Sequence, residues 1–287
     1  MFYEIDRWRE KMTNFDIYLL KYIGCSNQEI HQIISYEQEV GRTLSWRDRL
    51  VVTGNKKAGL FMRTIRELNM EALSQAFSQL SLVTINDAEY PESLRKIKNA
   101  PVMLFYRGDL QLLCHPLLAI TGNANCQRSS VRTVNKLIKE MGRKVVVLTG
   151  LSRGVEKAAT LSQLATGGKV CCILATGLDK CYPQEHDQLQ DFIGKNHLLL
   201  TEYPAEHSIL KQNLVERNRL IAGLCQGILS VELEEHSPYL SLCEQALDLG
   251  KDIFALPSSI SYINNLGNLK LLQDGARLVI SGEDLTF

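Results

Sequence analysis

The hydrophobic positions of this chain change their period near residue 80. Before that point, apolar side chains recur every three or four residues, and Ser26-Asn27 forms a helix-capping signal between two of the stripes. The stripes consist of Phe15, Leu19, Leu20, Tyr22 and Ile23, then Ile30, Ile33 and Ile34, then Leu60, Phe61, Ile65 and Leu68. Short amphipathic helices joined by polar turns predict a small helical bundle over residues 13–78.

From Leu82 onward the apolar residues instead form short runs, most of them rich in β-branched side chains. The strands that these runs predict cover residues 82–85, 102–106, 117–121, 145–149, 170–175, 198–202, 228–232, 253–256 and 277–280. Helical stretches separate the runs from residue 117 onward, and such alternation predicts a mostly parallel sheet with helices on both faces. We therefore predict an α/β domain after a boundary at residues 79–82.

Composition agrees with a globular protein and gives no sign of a cofactor. The chain has 287 residues, 45% hydrophobic and 22% charged, which is enough for one large domain and one small one. No run of about 18 apolar residues occurs, and the first ten residues are charged, so we predict a cytoplasmic protein with no membrane span. The eight cysteines have neither C-x-x-C nor zinc-finger spacing, and Cys171-Cys172 predict buried reduced thiols.

The charges are balanced overall but unevenly distributed. The formal net charge is zero, which gives no support for nucleic-acid binding at the level of the whole chain. Residues 121–157 nevertheless carry eight basic side chains against two acidic ones, and residues 200–252 carry nine acidic against four basic. This distribution indicates one positive and one negative side.

Three predicted strands end in a glycine turn: Thr121-Gly122-Asn123, Thr149-Gly150 and Thr176-Gly177. The carboxyl ends of parallel strands share one edge of a sheet, so these turns predict a crevice, where open α/β sheets bind ligands. The first turn continues as TGNANCQ, which is not G-x-G-x-x-G, so Gly122 and Asn123 give only weak support for a dinucleotide.

The second turn lies within Lys144–Lys157, KVVVLTGLSRGVEK. Its opening run predicts a strand buried on both faces. Gly150 and Gly154 then permit a close approach of the backbone. Ser152 can cap a helix or donate to an anion, and Arg153 adds a positive charge. Backbone N–H groups at such a turn predict a phosphate-bearing ligand, and the alternative is a tight connection that binds nothing.

The helix predicted after the first turn has one basic and one apolar face. At about 100° per residue, its basic side chains fall within about 80° of arc. These side chains are Arg128, Arg132, Lys136, Lys139 and Arg143. The face can follow a phosphate backbone or can simply be solvated.

Arg217 and Arg219 bracket Asn218 in the stretch ERNRLIAGL. Residues two apart do not share a helix face, so both arginines could meet one ligand only in a loop or a first helical turn. Guanidinium groups suit phosphates and base stacking. The alternative is structural pairing with Glu202 or Glu216.

Catalysis has little support in the sequence. Five of the six histidines lie scattered near predicted turns, and no Ser or Cys stands in a nucleophile elbow. The P-loop pattern is absent, which argues against ATP hydrolysis. We predict a protein that is not an enzyme and needs neither a metal nor a cofactor.

The motifs together resemble the DNA-processing protein A (DprA/Smf) family. The residues that carry the resemblance are YPESLRKIKNAPVMLFYRGDL, LTGLSRGVEKAA, ATGLDKCYP, LLLTEYP, RNRLIAGL, GKDIFALP and LLQDGARLV, in that order from about Tyr90 to Phe287. The resemblance implies an extended Rossmann-like domain over residues 81–287 that dimerises and binds single-stranded DNA. It also implies a small SAM-like domain over residues 1–80, and a non-enzymatic role in loading the RecA recombinase during natural transformation.

The chain departs from this family at positions that matter for phosphate binding. Gly122-Asn123-Ala124 stands where the family has Gly-Ser-Arg, and Gln184 stands where it has lysine. His236–Tyr239 replaces a Ser-Gly-Ser stretch, and Leu269 stands where asparagine is usual. Two lost charged partners would cost roughly 2–4 kcal/mol of binding free energy, so we expect weakened DNA binding.

The predicted DNA-binding residues combine the turns, the basic helix and the arginine pair. They are Gly122, Asn123, Arg128, Arg132, Gly150, Ser152, Arg153, Gly154, Gln184, Arg217, Asn218 and Arg219. One alternative is an interaction protein that keeps the dimer and the recombinase contact but binds DNA weakly or not at all. Another is a nucleotide-processing enzyme similar to the lysine-decarboxylase-like phosphoribohydrolases, although their Pro-Gly-Gly-x-Gly-Thr stretch is absent.

Overall fold

The computed structural model describes residues 11–287, which form two units. Unit 1 comprises the residues up to Tyr90 together with Asn99–Leu104, and unit 2 comprises Pro91–Lys98 and Phe105–Phe287. The charged N-terminal decapeptide behind the prediction of a cytoplasmic protein lies outside the described residues.

Five short helices build unit 1, as the helical period of residues 13–78 predicts. They are α1 (Asn14–Tyr22), α2 (Asn27–Val40), α3 (Trp46–Val52), α4 (Ala58–Glu67) and α5 (Met70–Ser78). Ser26 caps α2 as expected, because its side chain accepts from the Glu29 amide while the Glu29 carboxylate accepts from the Ser26 amide. Half of the stripe residues are buried and the others are partly exposed, with Tyr22 and Leu60 more than half exposed.

A buried arginine ties the first three helices of unit 1 together. Arg49 on α3 contacts Glu37 on α2 at 2.7 Å and Asp16 on α1 at 3.5 Å, and its side chain is 4% exposed. The strand β1 (Leu82–Thr84) follows the helices. Beyond it, the Ile85 amide donates to the Val102 carbonyl, so the segment Asn99–Leu104 completes this unit.

Strands form at all nine predicted positions. After β1 come β2 (Met103–Gly108), β3 (Leu117–Thr121), β4 (Val146–Thr149), β5 (Val170–Ile173), β6 (Leu198–Thr201), β7 (Gly227–Ser230), β8 (Asp252–Ala255) and β9 (Arg277–Leu278). Within unit 2 the order is β2-β6-β5-β4-β3-β7-β8-β9. All pairs are parallel except β2 with β6, which is antiparallel. The mostly parallel sheet is therefore confirmed.

The helices of unit 2 cover both faces of this sheet. They are α6 (Arg128–Met141), α7 (Val155–Ala165), α8 (Asp187–Asn196), α9 (Lys211–Leu224), α10 (Pro238–Asp248) and α11 (Leu266–Gln273). One core joins apolar side chains of α6 and α7 to β3, β4 and β7, with Leu118, Val134 and Val155 among its buried members. Helices α9 and α10 pack against each other and against the sheet. All four residues of β4 are buried, as its apolar run predicts.

The order of the strands reverses direction at β3. The chain proceeds from β3 through β4 and β5 to β6, and then returns to place β7 on the other side of β3. Loops at the carboxyl ends of β3 and β7 therefore diverge. In open α/β sheets, such a reversal opens the crevice that binds ligands.

Candidate nucleic-acid interface

The three glycine turns meet at one crevice, as predicted from the parallel strands. Its volume is about 180 Å³, and α9 and the start of α10 complete its wall. The lining residues are Ala124, Ser152, Arg153, Tyr182, Pro183, Leu214, Val215, Arg217, Asn218, Pro238 and Tyr239. We call this cavity the crevice. It brings together Ser152, Arg153, Arg217 and Asn218 from the predicted set.

The backbone N–H groups after β4 point inward rather than toward a ligand. The amides of Gly150 and Ser152 donate to one carboxylate oxygen of Glu156, at 3.1 and 2.9 Å. Glu156 is 1% exposed and also accepts from the Thr121 hydroxyl at 3.4 Å. The sequence-based expectation that these amides face a phosphate is therefore wrong, because a buried carboxylate of the same chain occupies them.

Both glycines of this turn are required by close packing. A Cβ on Gly150 would collide with the Arg217 guanidinium. Gly154 has φ of +69°, and a Cβ there would collide with the carbonyls of Asn123 and Ala124. The turn after β4 therefore packs closely against the turn after β3 on one side and against α9 on the other. This close packing accounts for both glycines, and no ligand is needed to explain them.

Arg153 lies at the mouth of the crevice and is paired. Its Nη2 donates to Glu185 Oε2 at 2.8 Å, and its Nε donates to the other oxygen of the same carboxylate. The two side chains are 53% and 48% exposed. The hydrogen bond from Arg153 lowers the pKa of Glu185 to about 2, so this carboxylate is charged at any ordinary pH.

Ser152 is the second polar group of this turn in the crevice. Its hydroxyl lies 3.0 Å from the Tyr239 hydroxyl, at the start of α10. Burial raises the pKa of the Tyr239 phenol above its ordinary range, so this group stays neutral and can donate. Tyr239 belongs to the stretch in which the chain departs from the resembled family.

The arginine pair lies in the middle of α9, so the condition under which both arginines could meet one ligand, a loop or a first helical turn, is not met. Arg217 is 2% exposed, and its Nη1 donates to the Ile173 carbonyl at 2.8 Å beneath the crevice. Within the described part of the chain, neither Arg217 Nε nor Asn218 Oδ1 has a hydrogen-bond partner. Arg219 points elsewhere and forms an ion pair with Glu202, so the structural alternative holds for this residue.

Gly122 and Asn123 hold the first turn in place. The Asn123 side chain donates to the Asn264 carbonyl at 3.0 Å and accepts from the Glu234 amide at 3.3 Å. It is 8% exposed, and neither residue lines the crevice. Ala124 lines the crevice instead, at the position where the resembled family has an arginine.

The basic face of α6 forms as predicted, except that the helix ends at Met141, so Arg143 lies beyond it and donates to the Thr166 carbonyl. Arg128, Arg132, Lys136 and Lys139 are exposed, and Lys136 lies 3.6 Å from Glu140. The opposite face buries Val134, Leu137, Ile138 and Met141. The exposed basic side chains of α6 do not line the crevice. Their role toward DNA stays a prediction.

Gln184 is exposed just outside the crevice. It opens a short 3₁₀ helix, Gln184–His186, after the cis peptide bond between Tyr182 and Pro183. An uncharged amide therefore stands where a lysine would reach the mouth.

A larger cavity of about 680 Å³ lies elsewhere in unit 2, between α6 and the loop after β8. Lys136 is the charged side chain of its wall. None of the predicted site residues lines it. We place the candidate site in the crevice because the crevice stands at the reversal of the strand order.

Two carboxylates of this region, Glu156 and Glu185, are not predicted from the sequence as partners of the site residues. Glu156 lies four residues after Ser152, and this spacing at a helix start was an available signal. Glu185 is 32 residues from its partner Arg153. No local pattern connects such pairs.

Metal and membrane features are absent from residues 11–287. No group of three or more His, Cys, Asp or Glu side chains is placed to hold a metal ion. No helix in this range is both long and apolar enough to span a bilayer. Cys171 and Cys172 are buried free thiols, as predicted, and burial raises the pKa of both.

Two family models match the chain. The model of DNA recombination-mediator protein A matches residues 81–287, and the model of the DNA processing protein A sterile alpha motif domain matches residues 12–73. The chain belongs to the DNA recombination-mediator protein A family. The resemblance inferred from the motifs is therefore confirmed, and so is the Rossmann-like fold class.

Relatives within this family resemble the chain over most of its length. The DNA processing protein DprA of Streptococcus pneumoniae is 38% identical over 96% of this chain and 98% of its own length. The Bacillus subtilis protein of the same name is 34% identical over 72% of this chain and 70% of its own. The crystal structure of the S. pneumoniae protein superimposes with a TM-score of 0.91, covering 96% of this chain and 97% of that one.

A more distant structure shares the fold. It shows DNA processing protein A of Helicobacter pylori and is described as revealing that protein's single-stranded DNA binding mode. It is 24% identical, with a TM-score of 0.63, over 72% of this chain and 94% of that one.

Proposed function

We propose that this chain is a non-enzymatic protein that binds single-stranded DNA at the crevice and helps to load the RecA recombinase. The observation that carries the proposal is the crevice at the reversal of the strand order, in a chain of the recombination-mediator family. The H. pylori relative, described as binding single-stranded DNA, supports the choice of ligand. The role toward RecA rests on the family alone, and we also propose a cytoplasmic location.

Two functional parts belong to this proposal. Residues 1–80 act as the SAM-like domain, and residues 81–287 act as the DNA-binding and dimerisation domain. The family models, which match residues 12–73 and 81–287, support this division.

DNA binding at the crevice is expected to be weak. Among the described residues that line it, Arg153 is the exposed cation, and Arg217 acts from beneath. Ala124 and Gln184 supply no charge. The basic face of α6 adds phosphate contacts outside the crevice, and because these contacts are electrostatic, binding should fall with salt.

The test is fluorescence anisotropy with labelled oligo-dT at about 50 mM salt. Arg153→Ala should weaken binding, whereas Arg66→Ala removes the same charge from an exposed position on α4 and should not. No binding by the unchanged protein would overturn the proposal. Arg217 is a poor target, because its truncation disturbs buried contacts.

The structure also gives a reason to keep the alternative of an interaction protein that binds DNA weakly or not at all. The amides after β4 are occupied by Glu156, and Arg153 is occupied by Glu185. If RecA is recovered in a pull-down while anisotropy stays flat, that alternative replaces the DNA-binding proposal. Release of free base from a nucleoside monophosphate would instead revive the enzyme alternative.

A homodimer through the C-terminal part of unit 2 is also proposed. Apolar side chains are exposed around the edge strand β9 and the loop after β8. They are Ile260 at 83%, Ile263 at 71%, Leu278 at 54% and Ile280 at 71%. Clustered exposed apolar groups mark interaction surfaces.

Light scattering at tens of micromolar tests the dimer. Ile280→Glu should yield a monomer, because a charge would enter the apolar contact. Leu161→Glu, at an exposed position on α7, is the matched control and should leave the dimer intact. A monomeric unchanged protein would contradict the proposal.

A further inference from the structure

The turn from Gly150 to Gly154 offers two anion-binding features, and the chain fills both of them itself. Glu156 accepts from the amides of Gly150 and Ser152. Glu185 accepts both hydrogen bonds of the Arg153 fork. An incoming phosphate therefore meets a turn that already holds two carboxylates.

The two carboxylates differ in whether they can be displaced. Glu156 is 1% exposed and is held by two backbone amides, so removing it would leave buried donors unpaired. The Glu185 side chain is 48% exposed and belongs to a three-residue 3₁₀ helix. Water and salt weaken an ion pair at such a position, so the Arg153–Glu185 pair can open.

A phosphate can take over the contact that Glu185 makes. The guanidinium fork presents parallel N–H groups that fit two oxygens of a carboxylate or of a phosphate. The lowered pKa of Glu185 keeps its carboxylate charged, so protonation does not release Arg153 at ordinary pH. A competing anion can instead take the place of Glu185 when the pair opens.

We propose that Glu185 is an internal competitor of DNA phosphate for Arg153 and thereby sets the affinity and the selectivity of the crevice. The inference rests on the proposed DNA-binding function. A free phosphate ion gains little by displacing Glu185, because Arg153 then only exchanges one anionic partner for another. A strand that also contacts α6 or the apolar crevice wall gains enough elsewhere to displace Glu185, so the pair favours polymeric ligands.

The test compares Glu185→Gln with Glu206→Gln. Each substitution removes one negative charge from an exposed ion pair, and neither Glu206 nor its partner Lys180 lines the crevice. In anisotropy with oligo-dT, Glu185→Gln should tighten binding roughly two- to fivefold relative to Glu206→Gln.

A double variant establishes that Glu185 acts through Arg153. When Arg153→Ala is already present, adding Glu185→Gln should change the affinity for oligo-dT no more than adding Glu206→Gln does. If Glu185→Gln behaves like Glu206→Gln in the unchanged background, or still tightens binding without Arg153, the inference is overturned.

The outcomes also separate this inference from the function on which it rests. Binding by the unchanged protein without tightening in Glu185→Gln overturns the inference alone. Binding that appears only in Glu185→Gln supports the inference and overturns DNA binding by the natural chain. No binding by either protein overturns both.

Discussion

Arg217 is a charged side chain used as a structural part. Its guanidinium fills the space beside Gly150, bonds the Ile173 carbonyl, and lies near the buried Glu156 and Tyr239. A buried cation of this kind is stable only with partners close by. Its position fixes how near α9 comes to the turn after β4.

Gly150→Ala should therefore destabilise the protein. A methyl group would overlap the Arg217 guanidinium, and overpacking of this kind costs about 1–3 kcal/mol of the free energy of unfolding. Gly59→Ala is the control, because it lies in α4 with open space around it and should gain up to about 1 kcal/mol. Denaturant titration followed by circular dichroism measures both, and equal effects would contradict the packing argument.

Glu185 should remain ionised through mild acid. Its pKa is lowered to about 2, chiefly by the hydrogen bond from Arg153, so the ion pair stabilises the fold above the ordinary glutamate pKa. That contribution disappears as pH falls toward about 2. Carboxyl NMR should show no midpoint for Glu185 between about pH 3 and 6, whereas Arg153→Ala should restore one near the ordinary value. A midpoint there in the unchanged protein would refute the pairing.

At the scale of single residues, the sequence predicts which polar side chains line the crevice but not which carboxylates pair with them. Glycine turns and charge single out Ser152, Arg153 and Arg217, and all three line the crevice. Their carboxylate neighbours depend on which loops the fold brings together. Arg153 and Glu185 meet only because two adjacent parallel strands end side by side, and no local pattern records that contact.

Secondary-structure elements were predictable where their apolar runs are strongly periodic. Strands buried on both faces need continuous apolar runs, so their positions are visible in the sequence. The helix α9 shows the opposite case. Its residues 217–219 look like a surface motif, yet the helix begins at Lys211 and buries Arg217 under the sheet edge. Burial of a charged residue is decided by tertiary packing, which periodicity does not report.

Arg49 should be essential to the helices of unit 1. Its removal would leave Glu37 and Asp16 without their cation, and breaking a buried ion pair costs about 3–5 kcal/mol. Arg49→Ala should thus lower the melting temperature of the protein strongly. Arg47→Ala, two residues away on the same helix but exposed, should change it little. Similar melting curves for the two variants would show that the triad contributes no net stability.

At the scale of the molecule, zero net charge conceals a local separation. Helix α6 exposes a row of basic side chains, while the exposed acids Glu234, Glu235, Glu244 and Asp248 follow β7 or lie on α10. A strand of DNA would therefore be attracted to one region of unit 2 and repelled from another.

Arg128→Ala/Arg132→Ala should lower the salt dependence of DNA binding. If both residues contact phosphates, the slope of log affinity against log salt falls by about 1.4, or about 0.7 for each contact. Arg63→Ala/Arg66→Ala removes the same charge from exposed positions on α4. An unchanged slope in the α6 variant would mean that its basic face is only solvated.

The path of the chain has a consequence for its synthesis. Unit 1 includes Asn99–Leu104, which supplies the Val102 carbonyl to Ile85 and the Ala100 carbonyl to His31, yet Pro91–Lys98 belongs to unit 2. A nascent polypeptide that ends at Tyr90 therefore lacks the two carbonyls that Ile85 and His31 contact in this unit. Domains usually fold in order as they leave the ribosome, but here the first unit cannot close until eight residues of the second have been translated.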